Sequence, residues 1–478
     1  MVETRRDALN PLAQARGKRS APWHWRATLV SLLAIGSVTM TAVDHSQGHA
    51  LGSERVGLMS PMQNSELWPR VRDEAGKYFE AARHHESGLV HDWLDVEDDG
   101  RVTGRAGYTK IPNVAHDLHF LTAVAAGDLA SAIAPDAALD RIDRILATLA
   151  RMQSAGWHGF FYDFYDLKGD TPSPRGLVVS TVENGELQLA LIALIGALQD
   201  RAEAKGVVDR ARALVEAQDF ADLYDRDRGL LQGEQSPGYH LDRVASESRA
   251  ATLLAIMKGQ APEAAWTRLG QPMVHYRGLE GCRRQLHLAW DGAPFQYWWP
   301  LIYADEIALS DGLARMHRNG LAVFMDAARR RGWWAFPETA SDPHSRAYQV
   351  NGLVELAENS KAQTHPFVAP HSLALASMID PQTMAVWAAR MEAAYPAVRG
   401  PLGWRDSVDP ATGEASPRYH AVDQGLIVSS MLADTIRGYL DRVWRAEQKA
   451  LRARLLASVD LSDSTSCNVA LPYLDAGQ

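Results

Sequence analysis

Apolar residues recur at three- and four-residue spacing almost everywhere from about Glu66 onward, and segments rich in Gly, Pro and Asp separate these stretches. The spacing places apolar side chains on one face of an α-helix, and the separating residues are typical of turns. The pattern therefore predicts an all-α chain in which strands are nearly absent. The predicted helices cover residues 66–86, 113–127, 135–154, 181–202, 205–220, 244–258, 297–311, 313–330, 367–378, 381–395, 421–439 and 440–456.

The predicted helices are of two kinds. Residues 181–202 are apolar nearly all round, as expected of a helix that is buried on every side, whereas residues 135–154 and 440–456 carry charged side chains on one face. Alternating inner and outer helices favour a double-layered toroid, although an open helical array would give the same pattern. No linker rich in Pro, Ser or charge divides residues 66–457, so we treat them as one domain.

The first 50 residues have a different pattern. Arg and Lys side chains precede an apolar run of 17 residues, Ala27 to Val43, and small residues then lead to Ala50. This order is typical of an export signal cleaved after Ala50, although the run is also just long enough for an uncleaved membrane anchor. We therefore expect a periplasmic or secreted protein. The predicted organisation is a signal or anchor over residues 1–50, a linker over 51–65, the helical domain over 66–457 and a C-terminal tail over 458–478.

Composition narrows the classes of function. The 49 basic and 58 acidic residues give a net charge of −9, and no basic block lies beyond the N-terminus, so we expect no nucleic-acid partner. The HExxH metal pattern, the Gly-rich phosphate loop and the Gly-x-Ser-x-Gly elbow do not occur, and we expect neither a metal nor a cofactor. A disulfide between the two cysteines, Cys282 and Cys467, would suit an exported protein, but the sequence alone does not place them together.

Carboxylates stand at the starts of predicted buried helices. Glu183 and Glu186 follow Ser180 and lie three residues apart, and Glu247 and Asp423 each precede a further apolar run. At any single helix, capping explains such a carboxylate as well as function does. Their recurrence at corresponding helix ends, among aromatic and Gly-containing segments, is what a saccharide cleft requires: acid–base groups and acceptors for hydroxyl groups.

Tryptophan is frequent in these same segments, and the chain has 14 tryptophans in all. Flat, rigid aromatic faces stack on sugar rings, so tryptophans that flank carboxylates are candidate stacking platforms. Core packing in a large helical domain is the competing explanation. The candidate platforms are Trp290, Trp298, Trp333, Trp334 and Trp404.

A series of short motifs runs through residues 66–440. They are Ser87-Gly-Leu-Val-His-Asp92, Tyr108-Thr-Lys-Ile-Pro-Asn113, Gly159-Phe-Phe-Tyr-Asp-Phe-Tyr-Asp166, Val179-Ser-Thr-Val-Glu-Asn-Gly185, Ala245-Ser-Glu-Ser-Arg249, Trp290-Asp-Gly292, Trp334-Ala-Phe-Pro-Glu338, Val368-Ala-Pro-His371, Leu402-Gly-Trp-Arg-Asp-Ser407 and Val422-Asp-Gln-Gly425. Each is individually weak. In this order they resemble the glucoamylase-like domain shared by β-1,2-glucanases of glycoside hydrolase family 144 and cyclic β-1,2-glucan synthases.

This resemblance implies an all-α (α/α)6 barrel with a central cleft and inverting hydrolysis of β-1,2-glucan without a metal. It also implies that Glu247 is the general acid and Asp406 the general base. Inversion needs one protonated and one ionised carboxyl group, whereas a helix N-terminus lowers a carboxyl pKa and so works against Glu247. The implied substrate-binding residues are Asn113, Asp163, Glu183, Glu186, Trp290, Asp291, Gln296, Trp298, Glu338, Trp334, Trp404 and Asp423.

Two positions depart from the family pattern. Glu183 replaces the family's usual Asp, and Gln296 stands where related synthase domains carry a Glu. The preference for linear, cyclic or decorated β-1,2-glucan is therefore open. Two alternative functions also remain: a periplasmic glucan-binding protein that has lost hydrolysis, and a retaining transglycosylase of the same fold. The presence of both Glu247 and Asp406 favours an enzyme over a binding protein.

Overall fold

The computed structural model describes residues 61–461 apart from residues 237, 279 and 280. The predicted signal or anchor over 1–50 and most of the predicted tail lie outside the described residues. Cys282 is disulfide-bonded, while Cys467 lies outside the described residues. The first helix begins at Pro61, so it takes in the end of the predicted linker.

Fifteen α-helices are present in the described part of the chain. They are α1 (Pro61–Ala81), α2 (Ile111–Ala126), α3 (Pro135–Ser154), α4 (Thr181–Leu198), α5 (Lys205–Glu216), α6 (Arg249–Met257), α7 (Ala264–Thr267), α8 (Pro294–Trp298), α9 (Glu306–Leu309), α10 (Asp311–Arg331), α11 (His371–Ser377), α12 (Pro381–Ala394), α13 (Ala421–Met431), α14 (Ala433–Val443) and α15 (Ala446–Ala457).

The helices form two layers, as predicted. Helices α2, α4, α6, α8, α11 and α13 are buried along nearly their whole length and follow one another as an inner ring. Helices α1, α3, α5, α7, α10 and α12 alternate with them along the chain, each packed against an inner helix. Two closing helices, α14 and α15, pack against α4 and α6 respectively. The apolar core is thus shared between the two layers.

Helix α4 illustrates why the layers separate. Sixteen of its eighteen residues are buried, and apolar side chains surround it on every side. By length and composition it is the one helix in the described part of the chain that could cross a membrane, yet it is mostly buried inside the protein. Helix α3 instead has an apolar stripe facing inward, and its charged residues contact solvent.

Short strands correct the prediction that strands are nearly absent. They lie in the connections between helices, where two- to five-residue segments pair as hairpins and small sheets that local apolar periodicity does not reveal. The strands are β1 (Trp93–Val96), β2 (Val102–Arg105), β3 (Tyr108–Lys110), β4 (Phe164–Asp166), β5 (Ser173–Pro174), β6 (Tyr224–Asp225), β7 (Leu230–Leu231), β8 (Met273–Arg277), β9 (Arg283–His287), β10 (Ala340–Ser341), β11 (Tyr348–Gln349), β12 (Arg399–Gly400), β13 (Gly403–Trp404) and β14 (Arg418–His420).

Several of these strands deliver the chain directly to the N-terminus of an inner helix. Strand β3 ends at Lys110, one residue before α2, and β14 ends at His420, one residue before α13. Strand β1 pairs antiparallel with β14 and so joins the beginning and end of the toroid, with Trp93 opposite His420. Side chains from distant parts of the sequence therefore meet at one end of the inner ring.

Several predicted helix boundaries are wrong. The predicted helix 66–86 ends at Ala81, and the predicted helix 440–456 is interrupted between Val443 and Ala446. The predicted helix 421–439 is interrupted at Leu432, between α13 and α14. The predicted helix 297–311 is replaced by α8, a 3-10 turn containing Pro300 and the short α9, because proline lacks the N–H that a continuing helix needs. The predicted helix 244–258 begins only at Arg249, which leaves Glu247 in the turn before α6.

Candidate active site

Glu247 lies in the Ser246–Ser248 turn at the entrance to α6. The Ser246 hydroxyl donates a hydrogen bond of 3.2 Å to Glu247 Oε2, and the side chain is partly buried. Burial is the main reason that the pKa of Glu247 is raised, and the charges of Asp291 and Glu183 add to the effect. These influences outweigh the expected lowering by the helix N-terminus, so Glu247 is suited to hold a proton.

Other carboxyl groups crowd this side of the site. Ser180 caps α4 by accepting the Glu183 N–H, and its own N–H donates to Asp163 Oδ1 at 2.8 Å. Glu186, one turn further along α4, is buried, and its Oε2 has no hydrogen-bond partner. Burial raises the pKa of all three carboxyl groups, and in Asp163 the charge of Glu183 helps to raise the pKa to about 9.

Glu338 and Gln296 hold the segment around α8. The fully buried Glu338 accepts the N–H groups of Phe295 at 2.7 Å and Thr339 at 2.6 Å, and burial raises its pKa. Gln296 Oε1 accepts the N–H groups of Asp291 at 3.0 Å and Ala293 at 3.3 Å. The side-chain amide oxygen of Gln296 therefore stabilises the turn that carries Asp291. The predicted contact of Gln296 with substrate stays a prediction.

We refer to Asp163, Glu183, Glu186, Glu247, Asp291 and Glu338 as the acid-side group. Their pKa values are all raised, with burial as the leading cause. The charges of Glu183 and Glu247 act on Glu186, and that of Glu247 acts on Glu338. These mutual effects indicate that the structure brings the six predicted residues together.

Asp406 lies in a different environment. It is buried, its Oδ2 accepts the Ser341 N–H at 2.6 Å, and His420 Nε2 is 3.9 Å away. Although burial opposes ionisation, the charge of His420 and a hydrogen bond from Asp423 lower the pKa of Asp406. Burial and the charge of Asp406 raise the pKa of Asp423 well above its usual range. Asp423 is therefore the protonated member of the pair, and Asp406 is the negatively charged one.

His420 links Asp406 to a second carboxylate, Asp92. His420 Nδ1 is 3.7 Å from Asp92 Oδ2, and its Nε2 is hydrogen-bonded to the Ser341 hydroxyl at 2.9 Å. Asn113 donates to Asp92 Oδ1 at 2.9 Å, so the predicted substrate ligand Asn113 orients Asp92 in this structure. We refer to Asp92, Asp406, His420 and Asp423 as the base-side group.

Lys110 lies between the two groups. Its ammonium group is 5.1 Å from the centre of the Phe164 ring and 5.4 Å from that of Tyr348. Its charge acts on Asp163 and Glu183 of the acid-side group and on Asp423 of the base-side group. Sequence analysis did not identify Lys110, Tyr348 or His420 as site residues. Two of them had a possible signal, since Lys110 lies inside a recognised motif and His420 directly precedes an inner helix.

Two of the predicted stacking platforms are core residues. Trp298 has no exposed surface and packs edge-on against Phe324 and Phe336. Trp404 is 1% exposed, and its indole N–H donates to Glu392 at 2.8 Å. Neither ring has a free face for a sugar, so their prediction as platforms is wrong. They fill space between the helical layers, which local sequence does not distinguish from lining a cleft.

The other three predicted tryptophans keep some exposure. Trp333 and Trp334 are partly buried, with arginine guanidinium groups lying over them at 5.5 and 4.8 Å. Trp290 is 38% exposed and lies next to Asp291, and the Arg243 guanidinium covers it at 4.7 Å from the ring centre. Trp290 is therefore the predicted platform that best fits a stacking role.

Tyr239 is an exposed aromatic residue that sequence reasoning missed. It is 52% exposed, and the charges of Glu183, Glu234 and Asp163 act on its hydroxyl group. A Cβ atom at position 233 would lie 2.0 Å from the ring, so only Gly233 allows the ring to rest on the chain there. Tyr239 and Trp290 thus provide two exposed rings beside the acid-side group.

Among the described residues, no three His, Cys, Asp or Glu side chains are arranged to hold a metal ion.

No family model matches the chain. A segment of the chain is 28% identical over 320 residues to the cyclic β-(1,2)-glucan synthase NdvB of Rhizobium meliloti (strain 1021). This match covers 58% of the chain but 11% of the synthase, so the chain corresponds to a small part of that protein.

Solved structures resemble the chain over a larger share of its length. An endo-β-1,2-glucanase variant from Talaromyces funiculosus, in complex with β-1,2-glucan, has a TM-score of 0.72 at 14% identity and covers 82% of this chain and 89% of its own. The endo-β-1,2-glucanase from Chitinophaga pinensis, in complex with sophorotriose and glucose, has a TM-score of 0.66 at 15% identity and covers 82% and 98%. The chain therefore has the glucoamylase-like (α/α)6 fold predicted from its motifs.

Proposed function

We propose that this protein is a glycoside hydrolase that cleaves β-1,2-glucan with inversion, with Glu247 as general acid and Asp406 as general base. The observation that supports this most directly is the opposite effect of the surroundings on the two carboxyl groups. The pKa of Glu247 is raised and that of Asp406 is lowered. The similarity to β-1,2-glucan-active proteins supports the choice of substrate.

The two protonation states correspond to the two tasks of an inverting hydrolase. A protonated Glu247 can donate its proton to the glycosidic oxygen of the leaving sugar, while an ionised Asp406 can take a proton from the attacking water. Direct action requires about 6.5–9.5 Å between the carboxyl groups, and a longer separation requires a water or a sugar hydroxyl to relay the proton. The proton on Asp423 helps to keep Asp406 ionised.

The surroundings suit an uncharged sugar chain. Trp290 and Tyr239 can stack on sugar rings through their exposed faces. The protonated carboxyl groups of the acid-side group can both donate to and accept from hydroxyl groups. The Lys110 ammonium group adds a positive charge that acts on both sides. We propose that these residues, with Trp334, form the subsites for consecutive glucose units.

The test is hydrolysis by the purified chain. Linear β-1,2-glucan, cyclic β-1,2-glucan and, as a control, linear β-1,3-glucan are incubated with the protein, and new reducing ends are measured. We expect new reducing ends from at least one β-1,2-glucan and none from the control. Binding to β-1,2-glucan without hydrolysis would instead favour a glucan-binding protein, and formation of longer oligosaccharides would favour a transglycosylase.

We also propose that the protein is exported and that its mature form begins near Leu51. The order of basic, apolar and small residues over the first 50 positions supports this. N-terminal sequencing of the protein from the periplasm or culture medium is expected to start near Leu51. Recovery of the chain with its first residues intact in the membrane fraction would show a retained anchor instead.

A further inference from the structure

Arg249 is a fully buried arginine two residues after Glu247. Its guanidinium group donates to both carboxylate oxygens of Glu306, at 2.8 Å from Nε and 2.7 Å from Nη2. The remaining donors bond backbone carbonyl oxygens. These acceptors are Val244 at 3.2 Å, Ser246 at 2.9 Å, Gln296 at 3.1 Å and Tyr297 at 2.6 Å. Each of the three guanidinium nitrogens therefore has a protein partner.

These bonds join four elements of the fold. Arg249 belongs to α6, the Gln296 and Tyr297 carbonyls belong to α8, and Glu306 begins α9. His317 of α10 also bonds Glu306, with Nε2 at 2.8 Å from Oε2. Although burial opposes it, the charge and hydrogen bonds of Arg249, followed by those of His317, lower the pKa of Glu306 to about 2. The arginine thus has a permanent counter-charge.

The carbonyl acceptors belong to two segments, one that carries Glu247 and one that binds Glu338, and the charge of Glu247 acts on Glu338. Val244 and Ser246 lie just before Glu247 in the segment that leads into α6, and Gln296 and Tyr297 directly follow Phe295, whose N–H donates to Glu338. A movement of Arg249 would therefore change the position of the Glu247 turn relative to the α8 segment.

We infer that Arg249, held by Glu306 and His317, is a positioning residue that fixes the location and burial of the general acid Glu247. This inference rests on the proposed function. Arginine is required because its planar group carries five N–H donors in a fixed arrangement, whereas lysine carries three donors on one atom. A lysine would keep the positive charge but could not hold Glu306 and the carbonyls of both segments at once.

The test compares Arg249→Lys with Arg83→Lys, using hydrolysis of the β-1,2-glucan that the wild-type protein cleaves. Arg83 is the matched control because it also forms bidentate hydrogen bonds with a buried carboxylate, that of Asp117. It also donates to a backbone carbonyl oxygen, that of Gly88. We expect both variants to lose thermal stability. We expect kcat to fall about 10–100-fold in Arg249→Lys alone, with KM changed less than about twofold, since small displacements of a reacting group are costly.

The pH profile provides a readout that a purely structural role would not change. The groups whose charges act on Glu247 or respond to it are Glu183, Glu186, Tyr239, Asp291 and Glu338, and all are retained in the variant. Looser packing admits water to Glu247 and lowers its raised pKa, so the alkaline limb of kcat/KM should move to lower pH in Arg249→Lys. The limb should not move in Arg83→Lys.

Equal kcat values and equal alkaline limbs in the two variants would overturn the inference. If Arg249→Lys does not fold, Glu306→Gln decides, because it keeps the shape of the partner while weakening its hold on the arginine. That variant should show the same changes to a smaller extent, and a wild-type pH profile in it would also overturn the inference. A wild-type protein that hydrolyses no β-1,2-glucan would contradict the proposed function instead, and the two failures are thereby separated.

Discussion

The acid-side and base-side groups contain the same kinds of buried carboxyl group, yet their surroundings differ. On the acid side, burial raises the pKa values of Glu183, Glu186 and Glu247, and the charges of neighbouring carboxyl groups raise those of Glu186 and Glu247 further. On the base side, Asp406 has His420 nearby and receives a hydrogen bond from Asp423, and its pKa is lowered despite complete burial. Burial alone therefore does not decide the charge of a carboxyl group in this site.

The difference shows how neighbouring residues in one fold can give two buried carboxyl groups opposite protonation states. An inverting hydrolase needs one group that stays protonated and another that stays ionised at the same pH. Here the neighbours supply this division: carboxyl groups around Glu247, and a histidine and a protonated carboxyl group around Asp406. Substitutions that alter one set of neighbours should therefore affect only one side.

Removal of the proposed acid or base should have the largest effect. Glu247→Gln and Asp406→Asn each preserve shape and remove the titrating group, so each should lower kcat about 10²–10⁴-fold. Stability should change little, as measured by thermal unfolding. The exposed Glu203→Gln, on the surface beside Arg201, is the matched control and should retain full activity.

The two variants can also be told apart. A substrate with a good leaving group, such as an aryl β-sophoroside, needs little protonation of the departing oxygen, so it should restore much of the activity of Glu247→Gln. It should not restore the activity of Asp406→Asn, because that variant cannot take a proton from the attacking water. Equal restoration in both variants would contradict the assignment of acid and base.

The exposed rings on the acid side should contribute to substrate binding. Trp290→Ala and Tyr239→Ala should each weaken binding by about 1–3 kcal/mol, by analogy with stacking of nucleic-acid bases on aromatic side chains. The comparison variant is Trp298→Ala, which should instead destabilise the fold by about 3–5 kcal/mol because it leaves a cavity in the core. Isothermal titration with a β-1,2-gluco-oligosaccharide and thermal unfolding separate the two effects. Unfolding of the Trp290 and Tyr239 variants would refute their role as platforms.

Loss of His420 should affect the base side alone. His420→Gln removes the charge that lowers the pKa of Asp406, so that pKa should rise and the acid limb of kcat/KM should move to higher pH. The other titratable groups that act on Asp406, His371 and Asp423, are retained. The control is the exposed His344→Gln, which should leave both limbs in place. A shift of the alkaline limb instead would mean that the two sides are not independent.

A smaller effect concerns stability on the acid side. The pKa of Asp163 is raised to about 9, above that of the unfolded chain, so the folded protein retains a proton that the unfolded chain releases as pH rises. Stability should therefore fall as pH rises from about 4 to 9. Asp163→Asn keeps an acceptor for the Ser180 N–H and removes this dependence. We expect it to stabilise the protein by about 0.5–2 kcal/mol at pH 8, with no gain at pH 4, as measured by denaturant unfolding.

The sequence predicted the parts of the fold that depend on local periodicity. The apolar run of α4 and the charged face of α3 correctly indicated inner and outer helices. The strand pairing of Trp93 with His420 could not be predicted, because it joins segments more than 300 residues apart through backbone groups that leave no side-chain pattern. The motif resemblance, rather than periodicity, distinguished a closed toroid from an open array.

The candidate site was predicted unevenly for similar reasons. Glu183, Glu186, Glu247 and Asp423 were found because carboxyl groups recur at the starts of predicted inner helices, whereas the role of Asp406 came from the motif resemblance. Burial was not predictable for tryptophan: Trp298 and Trp290 are eight positions apart in similar segments, yet one is in the core and the other is exposed. Lys110 and His420 were missed because a single lysine or histidine has no distinguishing context until the fold brings carboxyl groups around it.

The anomeric form of the first product tests the division of roles most directly. Proton NMR follows the reducing-end signal during the first minutes of hydrolysis of β-1,2-glucan, before mutarotation mixes the anomers. If Glu247 donates its proton and Asp406 activates water on the opposite face of the sugar, the first-formed anomer is α. A β-anomer formed first would mean retention through a covalent intermediate, and would contradict the assignment of Glu247 and Asp406 as an inverting acid and base.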